Sequence, residues 1–248
     1  MKALSKTYIA LILSILYIPI LVLMLFSLNN TDSTGTFTGF STYWYEELFR
    51  SADTFSALKN TLILALSSAV ISTVIGTFAA LGLDRMRARF IKGTLTSITN
   101  IPMMNPEIVT GISMMLLFVF VGRLVNIDAV LGFGTLLIAH VTFNLPYVIL
   151  TVLPKLRQTD RNLAEAAQDL GCKPAAAFFK VVLPSIMPGI VTGMIMAFTL
   201  SLDDFVISYF VGSSNFQTLP LLIYSMTKKK VTPDMYALST LIVITIFI

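Results

Sequence analysis

Six long apolar segments divide this sequence of 248 residues, and they constrain its fold more than any other feature. A helix needs about 20 mainly apolar residues to cross the hydrocarbon core of a bilayer. The composition agrees with a membrane protein, since 56% of the residues are hydrophobic and only 12% are charged. We therefore predict an all-α integral membrane protein that forms one transmembrane domain over residues 1–248. The predicted spans are Tyr8–Leu28, Thr61–Leu83, Leu95–Val121, Leu131–Leu153, Val181–Phe205 and Tyr236–Ile248.

The first and last of these segments differ from an ordinary span. The first is too long for the apolar part of a signal peptide and has no small-residue cleavage site after Leu28, so we interpret it as an anchor. The last has 13 residues, about 20 Å of helix against a core of about 30 Å. We expect this last helix to be truncated and the natural protein to continue past Ile248.

The placement of basic residues predicts the orientation of the chain. With the N-terminus in the cytoplasm, 11 of the 17 Lys and Arg residues fall in inside loops, and Lys228–Lys230 is the clear exception. This excess favours a cytoplasmic N-terminus. The basic residues lie between apolar segments instead of on one face, so nucleic-acid binding is not indicated. With one His and one Cys in the sequence, we predict no metal site.

Several residues inside the spans predict contacts between helices. Small residues let membrane helices approach closely, and we expect them to serve packing within the chain more than dimerisation. His140, alone in the fourth span, is expected to hydrogen-bond a neighbouring helix and not to relay protons. The small residues that recur every four positions are Ser68, Ser72, Gly76 and Ala80, with Gly189 and Gly193 in the fifth span.

A polar loop over about residues 154–184 separates the fourth and fifth spans and predicts two short helices. Thr159 or Asp160 suits the cap of the first helix. Gly171 suits its left-handed C-terminal residue, and Pro174 suits the first turn of the second helix. The apolar residues of the first helix are expected on one narrow face, formed by Leu163, Ala166, Ala167 and Leu170. A connector lying on the bilayer surface would show a wider apolar face.

This loop also carries a motif. Glu165-Ala166-Ala167 is followed after three residues by Gly171, and after nine more by Val181-x-Leu183-Pro184. The spacing resembles the EAA loop of binding-protein-dependent ABC importers, with Val181 where the pattern usually has Ile. The resemblance implies that the segment from Glu165 to Gly171 is the coupling helix that docks on an ATPase. The implied coupling residues are Glu165, Ala166, Ala167, Asp169 and Gly171.

The same resemblance implies a type I (MetI-like) permease fold and a set of partners. These are a second homologous permease subunit, two copies of an ABC ATPase, an extracytoplasmic binding protein and the lipid bilayer. The sequence has no G-x-x-x-x-G-K-[S/T] phosphate-binding motif, so it holds no ATP by a P-loop. We therefore expect a non-catalytic subunit without a cofactor of its own, with ATP and Mg bound by the partner ATPase.

Three acids lie in predicted spans that contain no Lys or Arg: Glu107, Asp203 and Asp204. Ionisable residues inside a span are costly and are functional candidates. We place all three toward the outer half of the path, where acids suit a cationic cargo. Two alternatives stay open. Glu107 could cap a helix that restarts after Pro106, and the aspartates could mark the water interface or pair with a partner subunit.

Four further runs resemble the permeases of polyamine (spermidine/putrescine) importers, over nearly the whole chain. The resemblance implies a polyamine cargo, whose ammonium groups suit acids and aromatic faces. Tyr209 could supply such a face, although it could instead anchor the chain at the membrane interface. The rival interpretations are an ABC permease for another solute and an ion-driven secondary transporter. The four runs are Gly39–Tyr45, Asn105–Val109, Phe198–Ser208 and Leu219–Met226.

Overall fold

Helices make up most of the chain in a computed structural model that describes residues 2–31, 36–127, 130–160, 162–213, 215–228 and 233–247. The helices are α1 (Lys2–Phe26), α2 (Tyr43–Arg50), α3 (Ala52–Arg85), α4 (Arg89–Met104), α5 (Glu107–Val125), α6 (Phe133–Gln158), α7 (Asn162–Asp169), α8 (Pro174–Ala177), α9 (Leu183–Leu202), α10 (Val206–Val211), α11 (Leu219–Thr227) and α12 (Pro233–Phe247), with a π-helical segment (Phe178–Val182) between α8 and α9.

Within the described residues, five helices are long and apolar enough to cross a membrane, which confirms the predicted all-α membrane fold. They are Lys6–Phe26, Ala52–Arg85, Glu107–Val125, Phe133–Gln158 and Pro174–Leu202. The predicted sixth span corresponds to α12, whose apolar part, Asp234–Ile244, is shorter than these five. Ile248, the end of that predicted span, lies outside the described residues.

The third span is not one continuous helix, so the prediction Leu95–Val121 is wrong. The chain leaves the helical conformation at Asn105, where φ is −78° and ψ is 141°, and a new helix starts at Glu107. Pro106 explains the break, because its ring disfavours the helical conformation at the preceding residue and it has no N–H to donate. The prediction that Glu107 lies in the outer half of its span assumed one continuous helix from Leu95. Because the helix is interrupted, that argument no longer holds.

The fifth span is longer than predicted at its start and shorter at its end. The predicted second short helix of the loop, starting at Pro174, is the first turn of the helix that crosses the membrane. Pro184 has no N–H to donate to the carbonyl of Lys180. Directly before it the helix widens into the π segment, where the Leu183 N–H bonds the Phe178 carbonyl five residues back. The prediction Val181–Phe205 is therefore wrong at both ends.

The helices form two compact units, Met1–Leu58 with Leu221–Ile248, and Lys59–Pro220. The first contains α1, α2 and α12. There Trp44 Nε1 donates to the Asn29 carbonyl over 2.8 Å, and Ser27 Oγ lies 2.7 Å from Tyr45 Oη. The prediction of a single domain stays a prediction.

In the second unit, α6 packs between α3 and α9 through small residues. A methyl group built at Gly76 of α3 would lie 2.7 Å from Val148 Cγ1, and one built at Gly193 of α9 would lie 3.3 Å from Val148 Cα. Neither helix could approach α6 this closely with a side chain at these positions. The predicted packing within the chain is therefore confirmed for both small-residue motifs.

A buried polar contact joins the same three helices. Ser201 Oγ of α9 accepts the amide N–H of Asn144 over 2.8 Å and lies 2.8 Å from Ser68 Oγ of α3. All three residues are buried. Hydrogen bonds between helices contribute to membrane-protein packing because lipid offers no replacement partner.

Candidate functional site

The predicted coupling helix is α7, and its first turn is capped as expected. Asp160 Oδ1 accepts the backbone N–H of Asn162 over 2.9 Å. Thr159, the other predicted cap, instead donates its hydroxyl to the Lys155 carbonyl at the end of α6. Asp160 therefore separates the two helices sharply and fixes where α7 begins.

The end of α7 has the hydrogen bonds of a Schellman motif. Gly171 has a φ of +86°, its N–H bonds the Gln168 carbonyl over 2.9 Å, and Cys172 N–H bonds the Ala167 carbonyl over 3.0 Å. Pro174 then starts the next helix. The predicted roles of Gly171 and Pro174 are confirmed, and the turn between α7 and the fifth span is built from local backbone contacts.

The side chains of α7 divide between two directions. Ala167 is buried against the rest of its unit at 8% exposure, whereas Leu170 is 88% exposed. Of the narrow apolar face that the spacing predicts, Ala167 is therefore buried, whereas Leu163, Ala166 and Leu170 are exposed. Five exposed residues of α7 and its end have apolar or acidic side chains, namely Leu163, Glu165, Ala166, Asp169 and Leu170. They form a surface with apolar and acidic side chains, which we call the α7 outer surface.

Asp204 does not lie inside a span but in the break between α9 and α10, where it is buried. Its Oδ2 atom lies 3.4 Å from His140 Nε2 of α6. Its two oxygens also accept the backbone N–H groups of Ile207, over 3.2 Å, and Ser208, over 2.8 Å. Asp204 thus caps α10 and ties it to α6, and the expected bond from His140 to a neighbouring helix is confirmed.

Asp203, the adjacent residue, is exposed. Its N–H closes the last turn of α9 on the Thr199 carbonyl. Tyr209 is 47% exposed, and its ring stacks obliquely on Phe205 with centroids 5.5 Å apart. Asp203 and Tyr209 are therefore the two predicted cargo residues that this segment leaves accessible.

Glu107 is the first residue of α5, where a carboxylate favours the positive end of the helix dipole. One turn later, α5 packs on α10, since a methyl group built at Gly111 would lie 3.0 Å from Phe210 Cδ2. The structure therefore places Glu107 on the face of α5 that meets α10. Its side chain is exposed.

The pairing of His140 with Asp204 was missed at the sequence level. Acids inside membranes usually have a partner, and His140 is the one histidine of the sequence. That rule could have suggested a pair with one of the two aspartates, although not which one. Among the described residues, no three His, Cys, Asp or Glu side chains gather as a metal site.

Comparison with known proteins adds to this geometry. The sequence profile described as "Binding-protein-dependent transport system inner membrane component" matches residues 72–248, which include α7, Glu107 and both aspartates. The chain belongs to this family. It is therefore a multi-pass transport permease. The family membership that the sequence motifs predict is confirmed.

Two relatives of this permease resemble it over most of their length. The putrescine transport system permease protein PotI of Escherichia coli (strain K12) is 41% identical over 228 residues, which cover 92% of this chain and 81% of the relative. The spermidine/putrescine transport system permease protein PotC of Haemophilus influenzae is 37% identical over 241 residues, covering 97% of this chain and 91% of the relative.

The fold of the permease is also found in a solved structure. A bacterial ABC transporter for import of the acidic polysaccharide alginate contains a chain that superposes with a TM-score of 0.76 at 15% identity, covering 99% of this chain and 90% of that one. The predicted type I, MetI-like permease fold is confirmed.

Proposed function

We propose that this permease carries polyamines, as one transmembrane subunit of an ATP-driven importer in a bacterial inner membrane with a cytoplasmic N-terminus. The observation that carries the proposal is the identity of 37% to 41% to two permeases named for putrescine and spermidine, over more than nine tenths of this chain. A second homologous permease subunit would supply the other half of the path. An extracytoplasmic polyamine-binding protein would deliver the cargo.

The chemistry of the exposed acids supports a polyamine as cargo. Asp203 and Glu107 are exposed carboxylates, and Tyr209 is an exposed aromatic residue six positions after Asp203. A polyamine carries ammonium groups on an apolar stem, so it binds carboxylates through its charges and aromatic faces through cation–π contacts. Asp204 supports this arrangement indirectly, because its bonds to His140 and α10 hold the segment that carries Asp203 and Tyr209.

The α7 outer surface suits a contact with the ATPase subunit. It presents exposed Leu170 and Ala166 beside the carboxylates of Glu165 and Asp169. Two copies of the ATPase would bind ATP and Mg, and this chain would hold no cofactor and perform no covalent chemistry. Motion of the ATPase would pass through Gly171 and Pro174 into the fifth span, because that helix starts directly after the turn.

The test is ATP-dependent uptake of labelled spermidine and putrescine by the reconstituted complex. We expect Asp203→Asn and Glu107→Gln each to lower uptake about tenfold, the effect of losing about 1.4 kcal/mol of contact energy, with the amount of assembled complex unchanged. Glu46→Gln is the matched control, since Glu46 is an exposed acid on α2. Full uptake by both variants would exclude these carboxylates as cargo contacts. Uptake of a different solute, with no polyamine uptake by the wild type, would overturn the polyamine proposal itself.

A further inference from the structure

A groove of about 620 Å³ lies beside the coupling loop, between the last turns of α3, helix α7 and the π segment. Phe78, Gly82 and Arg85 line it from one face of α3, Gln168 lines it from α7, and Phe179 from the π segment. Arg85 ends α3 and Pro174 starts the fifth span, so two membrane-crossing helices end here. The groove therefore lies where a spanning helix passes from apolar to polar surroundings.

The lining combines an apolar wall with one cation. Phe78 and Phe179 are both 62% exposed, although each is a large aromatic side chain. Arg85 is the charged residue of the lining, and within the described part of the chain it forms no ion pair. A guanidinium binds a phosphate through two parallel hydrogen bonds, whereas the aromatic wall suits hydrocarbon.

The groove and the α7 outer surface lie on different sides of α7. Residues four apart share one face of a helix, so Ala164 and Gln168 line the groove together. Ala166 and Leu170 are about 200° away around the helix axis from that face. An ATPase seated on the α7 outer surface would therefore leave the groove open to the bilayer.

We propose that this groove binds an anionic phospholipid, with the phosphate on Arg85 and an acyl chain along Phe78, Gly82 and Phe179. Basic pockets between spanning helices bind such headgroups because anionic lipids concentrate on the cytoplasmic side. The choice of leaflet follows from the proposed orientation, but the binding site does not depend on the cargo. A lipid held there would touch α3, α7 and the π segment at once and would stiffen the base of the coupling helix.

The test is native mass spectrometry of the purified complex titrated with phosphatidylglycerol or phosphatidylcholine of the same acyl chains. We expect Arg85→Gln to weaken retention of one phosphatidylglycerol about tenfold, with Arg87→Gln as the control, since Arg87 is exposed nearby and does not line the groove. Gly82→Leu should block the acyl position for both lipids. Gly93→Leu is its control, because a methyl group built at either glycine meets no atom within 4 Å.

Equal binding of the two lipids by the wild type, or equal retention by Arg85→Gln and Arg87→Gln, would overturn the proposal. So would an efficient cross-link from Phe179→Cys to the ATPase or to the second permease, since that would make a protein the occupant. This experiment measures lipid binding and not transport. A negative result would therefore not contradict the proposed polyamine transport, and a lack of polyamine uptake would not affect the lipid-binding result.

Discussion

Asp203 and Asp204 show how strongly the environment of a residue depends on where a helix ends. Both follow the last residue of α9. The chain turns there, so one carboxylate remains exposed and the next enters the unit to meet His140. The sequence alone does not distinguish these two adjacent acids. The break in the helix makes the Asp203 carboxylate accessible and the Asp204 carboxylate structural.

The pair of His140 and Asp204 leads to a prediction about stability. His140→Ala removes a partner of a buried carboxylate, a change that typically costs about 3 kcal/mol. We therefore expect a fall in the melting temperature of the purified complex by about 6 °C or more. Asp203→Asn is the control, and it should leave the melting temperature unchanged because its side chain is exposed.

A double-mutant cycle distinguishes this pair from two independent contributions. If the two side chains stabilise the protein through each other, His140→Ala combined with Asp204→Asn should cost less than the sum of the single changes. Additive losses would contradict the role that we assign to the 3.4 Å contact.

At the scale of single elements, features fixed by neighbouring residues could be predicted from the sequence, and features fixed by distant residues could not. The cap at Asp160 and the turn at Gly171 depend on residues a few positions away, and both agree with the structure. The burial of Ala167 depends on the rest of its unit. The spacing of apolar residues placed it on one face with Leu170, which is exposed.

Proline has two different effects in this chain, and the sequence does not distinguish them. Pro106 lies between two helices, whereas Pro184 lies just after a π segment inside one continuous helix. In the fifth span the Leu183 N–H bonds the Phe178 carbonyl, five residues back, and the helix continues through the proline. Beside Pro106 the chain instead takes an extended conformation at Asn105, and a new helix starts at Glu107.

The turn at Gly171 leads to a prediction about coupling. A methyl group built on Gly171 meets no atom within 4 Å, so only its backbone conformation restricts substitution. A branched side chain at a φ of +86° costs about 1–2 kcal/mol. We expect Gly171→Val to lower transport several-fold while ATP hydrolysis by the complex continues, measured as uptake per ATP hydrolysed.

Gly171→Asn is the matched variant, because Asn tolerates the left-handed conformation. It should keep most of the uptake per ATP. Equal loss in both variants would mean that the turn needs a glycine for a reason other than its conformation.

For the whole molecule, the sequence predicted the class of fold because the bilayer sets the length of each span. Each of the five long apolar helices overlaps one predicted segment, although none has the predicted bounds, and α5 overlaps only the later part of its segment. The alternative in which a helix restarts after Pro106 agrees with the structure, because the proline acts on its neighbours in the chain. The two compact units could not be predicted, because they depend on contacts between segments far apart in the chain.

Cys172, the only cysteine in the sequence, offers a test of the orientation of the whole chain. It follows Gly171 in the coupling loop and is partly exposed. With the N-terminus in the cytoplasm, a membrane-impermeant maleimide should label it in inside-out vesicles and not in intact cells. Thr42→Cys in a Cys172→Ser background is the control and should be labelled in intact cells. Labelling of Cys172 from outside would reverse the proposed topology.

The helix that runs without interruption from Pro174 to Leu202 has the geometry of a lever. Its 29 residues make a rod about 43 Å long. A turn of about 10° around its centre moves each end by about 4 Å, which exceeds the length of a hydrogen bond. One end begins two residues after the turn that closes α7, and the other ends one residue before Asp203. A tilt of about 10° at the loop is therefore enough to bring that carboxylate into or out of reach of an ammonium group.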